Sequence, residues 1–218
     1  MHCRSEADIV NEIVDEILLQ IQSFSLDVAR YPVGLDSRLK DITALLSRGT
    51  KDVIMIYGMG GIGKTTLAKA LFNKLLPGSF KGSCFLANVR EILGNSKGLE
   101  SLQQQLVHDV LRSKNRVEVI SVDQGIKLID QKICSTKILV VIDDLEDHQE
   151  FKSLVRPFAP GSVVIVTTRD EEILDKIEVE TQNRYKVNVL GDAESETLFF
   201  QHAFGDAQPS NILKILSK

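Results

Sequence analysis

Gly58-Met59-Gly60-Gly61-Ile62-Gly63-Lys64-Thr65 decides how this chain is read. The octet fits the phosphate-loop pattern G-x-x-x-x-G-K-[ST] at every fixed position. The apolar run Val53-Ile54-Met55-Ile56-Tyr57 precedes it and a helix-like stretch follows to residue 76, which is the strand–loop–helix context its chemistry requires. The glycines permit tight curvature and let successive N–H groups face an anion. The N-terminus of the following helix adds partial positive charge at the same place. Lys64 has the reach to bridge β- and γ-phosphates, Thr65 offers a hydroxyl to Mg²⁺, and Thr66 is placed near the α-phosphate. The candidate nucleotide-binding residues here are Gly58, Gly60, Gly61, Ile62, Gly63, Lys64, Thr65 and Thr66, and the expected ligand is a nucleoside di- or triphosphate with Mg²⁺.

Outward from the loop, the pattern is α/β throughout. Helices are predicted over residues 5–22, 35–47, 64–76, 99–111, 122–134, 147–155 and 192–204, and strands over 53–57, 83–89, 137–142, 162–167 and 185–190. The strands at 137–142 and 162–167 are nearly continuous apolar runs, as in a parallel sheet covered on both faces. The expected fold is a P-loop NTPase three-layer sandwich with a mostly parallel five-stranded sheet. Residues 1–24 are read as an N-terminal linker helix, 25–205 as the nucleotide-binding domain, and 206–218 as the start of a helical subdomain or a tail. The 5–22 helix carries Ile9, Val10, Ile13, Val14, Ile17, Leu18 and Ile21 on one face. That face either packs on the domain's flank or binds a partner, since amphipathicity says only that it is covered.

Bulk properties narrow the class. A chain of 218 residues, 43% hydrophobic, buries roughly 70% of its unfolded surface and needs no disulfide or metal staple. The net charge of −4, with Lys and Arg spread along the chain, gives no basic patch for nucleic acid. Cys3, Cys84 and Cys134 have no metal-ligand spacing. Cys84 and Cys134 read as buried thiols, suited to a cytoplasmic or nuclear location. No run approaches 18 apolar residues, so no transmembrane segment is expected.

Three further elements bear on the site. In Ile138-Leu139-Val140-Val141-Ile142-Asp143-Asp144 an apolar strand ends in two acids at the edge where open α/β sheets bind ligands. Alone, such a pair serves equally as a helix cap or solvated turn; beside a complete phosphate loop, Asp143 becomes the candidate Mg²⁺ ligand with Thr65. Asp144 becomes a group that polarises water or helps hold the metal. Arg169, at the end of Val164-Ile165-Val166-Thr167-Thr168, either contacts a γ-phosphate or caps the strand. Tyr31-Pro32-Val33-Gly34 either holds a base and ribose or shapes a linker.

Taken together, these stretches resemble the nucleotide-binding (NB-ARC) region of plant intracellular immune receptors of the NB-LRR class. The resemblance runs through residues 31–38, the Gly58–Thr65 loop, Phe85-Leu86-Ala87-Asn88-Val89-Arg90-Glu91, Leu139–Asp144, residues 161–170, Tyr185-Lys186-Val187 and residues 196–204. The Phe85–Glu91 stretch and the acid after Asp143 resemble the subclass with an N-terminal TIR domain. The resemblance implies a switch that rests with ADP, is released by ATP, and hydrolyses slowly or not at all. It places Val33 and Gly34 at the adenine and ribose, Asp143 at Mg²⁺, Asp144 at a catalytic acid–base position and Arg169 as phosphate sensor, with Lys64 completing the catalytic set. It assigns no catalytic contact to Arg90. It implies strand order 2-3-4-1-5, and self-association or association with other immune receptor chains.

Family stretches of the type Gly-Leu-Pro-Leu and Met-His-Asp do not occur within these 218 residues. The sequence is accordingly expected to be a fragment or truncated form. A competing reading is a non-enzymatic interaction module with nucleotide as a structural ligand. A small-molecule kinase is disfavoured, because the connectors at 90–98 and 112–121 lack an Arg-rich lid.

Overall fold

The computed structural model describes residues 25–46, 53–112, 117–178 and 181–205. The expected 5–22 helix and the 206–218 segment lie outside the described residues.

In chain order the elements are α1 (Leu35–Leu46), β1 (Val53–Tyr57), α2 (Lys64–Leu75), β2 (Gly82–Leu86), α3 (Val89–Leu93), α4 (Gly98–Leu111) and α5 (Val122–Lys132). There follow β3 (Ile138–Ile142), α6 (His148–Leu154), β4 (Val163–Thr168), α7 (Glu172–Lys176), a single 3-10 turn (Thr181–Asn183), β5 (Arg184–Lys186) and α8 (Asp192–Phe204). The strands form one sheet in the order β2-β3-β4-β1-β5, as the resemblance implied. All four pairings are parallel.

Period-2 alternation sorts the strand residues into two cores. Met55 of β1, Val140 and Ile142 of β3, and Val164 and Val166 of β4 face one side. There they meet Leu102 and Leu106 of α4, Ile129 of α5 and Leu154 of α6. Ile54 and Ile56, Leu139 and Val141, and Ile165 face the other, against Ile42 of α1 and Leu67, Leu71 and Phe72 of α2. Every residue of β3 is buried, which is why its sequence reads as an unbroken apolar run.

Local chemistry sets the boundaries. Ser121 caps α5 by accepting from the Gln124 N–H at 3.3 Å, and Asp147 caps α6 through Gln149 N–H at 2.8 Å. β2 stops at Leu86 rather than running to Val89. Asn88 takes a left-handed conformation (φ 50°) that turns the chain into α3, an element the periodicity does not announce. β5 is likewise shorter than the expected 185–190. Its edge is extended by one bond, Val187 N–H to Tyr57 O at 2.9 Å, after which the chain leaves the sheet. α7 was not anticipated; it supplies Ile173 and Leu174 to the first core. Cys84 is buried as expected, whereas Cys134, just past the end of α5 and packed against the first core, is only half-buried.

β4 is bonded to β3 on one side and β1 on the other. The C-terminal ends of β1, β3 and β4 therefore stand next to each other, and each runs into one of the segments singled out in the sequence.

Candidate functional site

The loop from β1 to α2 begins at Gly58 and delivers Gly63 as the residue before the helix, with φ 98° and open space where a side chain would be. A Cβ in that conformation is strained, so glycine is required by the backbone itself. The first helical bond runs from Leu67 N–H to Gly63 O at 2.9 Å. The amides before Leu67 belong to the helix's unpaired first turn, an arrangement suited to an anion. Lys64 is buried and folds back over the loop, donating to Gly58 O at 2.8 Å and Met59 O at 2.9 Å. Burial pushes its ammonium below the usual lysine range and the Arg169 charge adds to this, while Asp144 and Asp143 oppose it.

At the end of β3 the carboxylate of Asp143 is 1% exposed and fully engaged. Thr65 Oγ1 lies 2.9 and 3.1 Å from its two oxygens. Thr167 Oγ1 donates to Oδ1 at 2.7 Å. A buried carboxylate is tolerated when neighbours satisfy it in this way. The register explains the placement: Ile142 pairs with Val166, so Asp143 falls level with Thr167.

Asp144 leaves the strand in a left-handed conformation, φ 62°. Its N–H donates to Thr167 Oγ1 at 2.9 Å, and its carbonyl accepts from Arg90 N–H at 3.2 Å. Its carboxylate sits between two guanidinium groups. Arg169 Nε approaches Oδ1 at 3.1 Å, and Arg90 Nε approaches Oδ2 at 3.1 Å. Arg90 also holds Glu146 at 2.9 Å. That bond, followed by the Asp144 charge, pushes the Arg90 guanidinium above its ordinary value. Arg169 leans over the phosphate loop: a Cβ on Gly60 would lie 3.5 Å from its Nη1.

These groups surround a cavity of about 260 Å³ lined by Gly61, Gly63, Lys64, Thr65, Thr66, Asn88, Asp143, Asp144, Thr167 and Arg169. A second cavity of about 260 Å³ opens on the other side of the loop. Tyr31, Pro32, Val33, Leu35, Ile62, Leu67, Val187, Leu190, Leu198 and His202 line it, again with Gly61, Gly63 and Thr66. The first is polar, with Lys64 and Arg169 facing Asp143 and Asp144; the second is largely apolar. Tyr31 meets His202 of α8 edge-on at 5.0 Å, and Arg30 lies over the Tyr31 ring at 5.2 Å. Arg38 ties the second cavity together, donating to Gly34 O at 2.7 Å and pairing with Glu194 of α8 at 3.6 Å.

The structure brings Lys64, Thr65, Asp143, Asp144 and Arg169 together around the first cavity. Val33, Ile62 and Thr66 line the apolar cavity, whereas Gly34 contributes only its carbonyl, through Arg38. Gly58 and Gly60 shape the loop from outside both linings. Sequence reasoning missed Thr167, a buried hydroxyl inside an apolar strand whose only signal is its polarity. It also missed Asn88, and the apolar face of α8 at Leu198 and His202, four residues apart. Arg90, to which the sequence reading assigns no direct catalytic contact, lies against the same carboxylate as Arg169.

The oxygens of Thr65 and Asp143 are the hard donors that Mg²⁺ prefers. Among the described residues no group of three or more His, Cys, Asp or Glu could make a protein-only metal cage. A cation here would therefore draw most of its ligands from phosphate and water, the usual habit of Mg²⁺. Among the described residues no helix is long and apolar enough to cross a membrane.

Comparison with known proteins agrees with this geometry. The family model described as "NB-ARC domain" matches residues 36–208. The chain is 36% identical to TMV resistance protein N of Nicotiana glutinosa over 98% of its own length and 19% of that protein's. It is 35% identical to disease resistance protein RUN1 of Vitis rotundifolia, covering 97% of this chain and 16% of the relative. The chain thus spans less than a fifth of each of these two relatives. Among solved structures, Cdc6p from Pyrobaculum aerophilum superposes with TM-score 0.56 at 11% identity, over 88% of this chain and 55% of that one, a likeness of fold. A sheet of the order β2-β3-β4-β1-β5, a complete phosphate loop at its edge and a family match over most of the length lead to one conclusion: the chain belongs to the NB-ARC domain family.

Proposed function

We propose that this chain is the adenine-nucleotide-binding switch module of a plant intracellular immune receptor, exchanging ADP for ATP with slow or no hydrolysis. The observation that carries this reading is the shared wall of the two cavities. Gly61, Gly63 and Thr66 border both the polar pocket and the apolar one. One ligand with an aromatic base at one end and phosphates at the other fits that pair of pockets. In this reading Val33 and its neighbours take the base, Gly58, Gly60, Gly61, Ile62, Gly63, Lys64, Thr65 and Thr66 form the phosphate cradle, and Thr65 and Asp143 hold Mg²⁺. Mg²⁺ would neutralise phosphate charge there.

Low turnover is supported by the state of Asp144. Arg90 holds Oδ2 at 3.1 Å, a pairing that persists when Arg169, 3.1 Å from Oδ1, turns to a phosphate, so the carboxylate stays committed to a cation. A carboxylate so engaged is a poor general base. Arg169, close to the loop, suits a γ-phosphate sensor. Whole-receptor behaviour, including self-association or association with other receptor chains, would then follow the nucleotide state.

The test is mass spectrometry of nucleotide released from the freshly purified, denatured protein. Stoichiometric ADP is expected. Protein without nucleotide, and without binding in calorimetry up to millimolar ADP or ATP, would overturn the reading.

A further inference from the structure

We infer that Arg90 is the positioning residue that frees Arg169 for a third phosphate, by keeping the charge of Asp144 neutralised when Arg169 turns away from it. The inference rests on the nucleotide-switch reading and goes further, to a residue which that reading leaves idle.

The geometry is a contest for one carboxylate. Asp144 accepts Arg169 at Oδ1 and Arg90 at Oδ2, both at 3.1 Å. The two arginines come from different places and have different freedom. Arg90 is tied three times: to the Asp144 carboxylate, to Glu146 at 2.9 Å, and through its own N–H to the Asp144 carbonyl at 3.2 Å. Arg169 has side-chain bonds to Asp144 alone among those of the described residues, and its guanidinium already overhangs Gly60 and lines the phosphate-side cavity. Arg90 does not line that cavity. Arg169 is thus the member able to move toward a phosphate, and Arg90 the member that stays.

Charge explains why both are needed. Asp144 is on the wall of the same cavity, 18% exposed. A γ-phosphate entering it meets a carboxylate of like sign, and Arg169 must leave that carboxylate in order to bind the phosphate. Without Arg90, two penalties coincide: Asp144 holds Arg169 back, and once released it repels the phosphate. Both act on a nucleoside triphosphate. A diphosphate has no γ-phosphate to draw Arg169 away, so ADP binding is spared. The arrangement makes Arg90 a determinant of ATP-over-ADP preference rather than of affinity as such. The backbone supports this: Asp144 is held in its left-handed turn by Thr167 Oγ1 and by Arg90 N–H, so the root of its side chain stays at the cavity wall.

The experiment is calorimetric titration of the whole chain, with Mg²⁺, by ADP and by the β,γ-imido analogue of ATP. The variants are Arg90→Gln, Arg90→Lys, Glu146→Gln, Asp144→Asn and the Arg90→Gln/Asp144→Asn double variant. In Arg90→Gln the ATP analogue should weaken about three- to tenfold, the scale of one partly exposed ion pair. ADP should stay within about twofold, because no γ-phosphate is involved. Arg90→Lys should recover most of the loss, and Glu146→Gln should leave the ratio unchanged. With Asp144 neutralised, the Arg90→Gln defect should disappear. Equal losses for both nucleotides, or an ATP-specific loss that persists in the double variant, would overturn the inference. Retained ADP binding reports that each variant is folded. If the unsubstituted chain binds neither nucleotide, the switch reading falls and this inference with it. If it binds both and the ratio ignores Arg90, only the role of Arg90 falls.

Discussion

Thr167 Oγ1 donates to Asp143 Oδ1 at 2.7 Å while accepting the N–H of Asp144 at 2.9 Å, so one hydroxyl on β4 fixes both acids at the end of β3. Replacement by valine keeps the shape and deletes both bonds. Thr167→Val leaves a buried carboxylate short of a donor and a half-buried amide without its acceptor. It should destabilise the protein by about 1–3 kcal/mol in urea unfolding and reduce the Mg²⁺ dependence of nucleotide binding. Unaltered stability would show that Asp143 is held by Thr65 alone.

Lys64 carries opposite signs in stability and in binding. Its folded-state ammonium lies below the ordinary value of 10.5, mainly through burial. The charged form is thus penalised by folding. The penalty is fully present below the lowered folded value and fades as pH rises from there toward 10.5. Nucleotide-free Lys64→Met is therefore expected to be unchanged to about 1 kcal/mol more stable than the parent at pH 7, with the gain shrinking at higher pH. The same variant, and Lys64→Ala, should lose nucleotide affinity by at least about tenfold. Lys64→Arg is expected to fail as well, since a planar fork does not substitute for the point charge. Undiminished affinity in both Lys64→Ala and Lys64→Arg would remove Lys64 from the phosphate site.

Tyr31 should act on both nucleotides alike. It walls the apolar cavity and stacks edge-on with His202. Tyr31→Ala is expected to weaken ADP and the ATP analogue equally, by about three- to tenfold, the worth of one aromatic contact. A loss confined to one nucleotide would show that this cavity reads phosphate number, contrary to its position.

Gly125 provides a test of packing remote from the site. A Cβ there would overlap the buried side-chain amide of Gln103, which bridges Val122 O and Ser153 O. Gly125→Ala should cost about 1–3 kcal/mol of stability by thermal or urea unfolding, while nucleotide affinity in the folded protein stays the same. A neutral substitution would mean that α4 and α5 separate easily.

What the sequence disclosed follows a physical division. The phosphate loop and Asp143 are carried by short-range rules, a strand ending in a helix start or an acid, and these survive translation into one dimension. The layer order of the sheet came from likeness to a family and not from periodicity, because alternation tells which face a residue takes and not which strand lies beside it. Arg90 was illegible for a different reason. Its position depends on Asn88 adopting φ 50°, which ends β2 early and sends Val89 N–H to Asp143 O at 2.9 Å. A strand through Val89 would have carried Arg90 past the end of β3. Leu198 and His202 belong to a helix with no fully buried residue, so its weak apolar stripe gave no sign of a cavity wall.

β4 serves as the ruler of this molecule. Its rungs set Val164 against Val53 and Val140, and Ile165 against Ile54 and Val141. Sliding β4 by one residue would turn Ile165 toward the wrong layer and lift Thr167 away from Asp143 together, because side chains alternate with a period of two. Damage to the alignment of the acids by strand slippage is therefore inseparable from damage to the packing. A population that has lost the first in this way has lost the second, and a folded but misaligned species has no rung on which to rest.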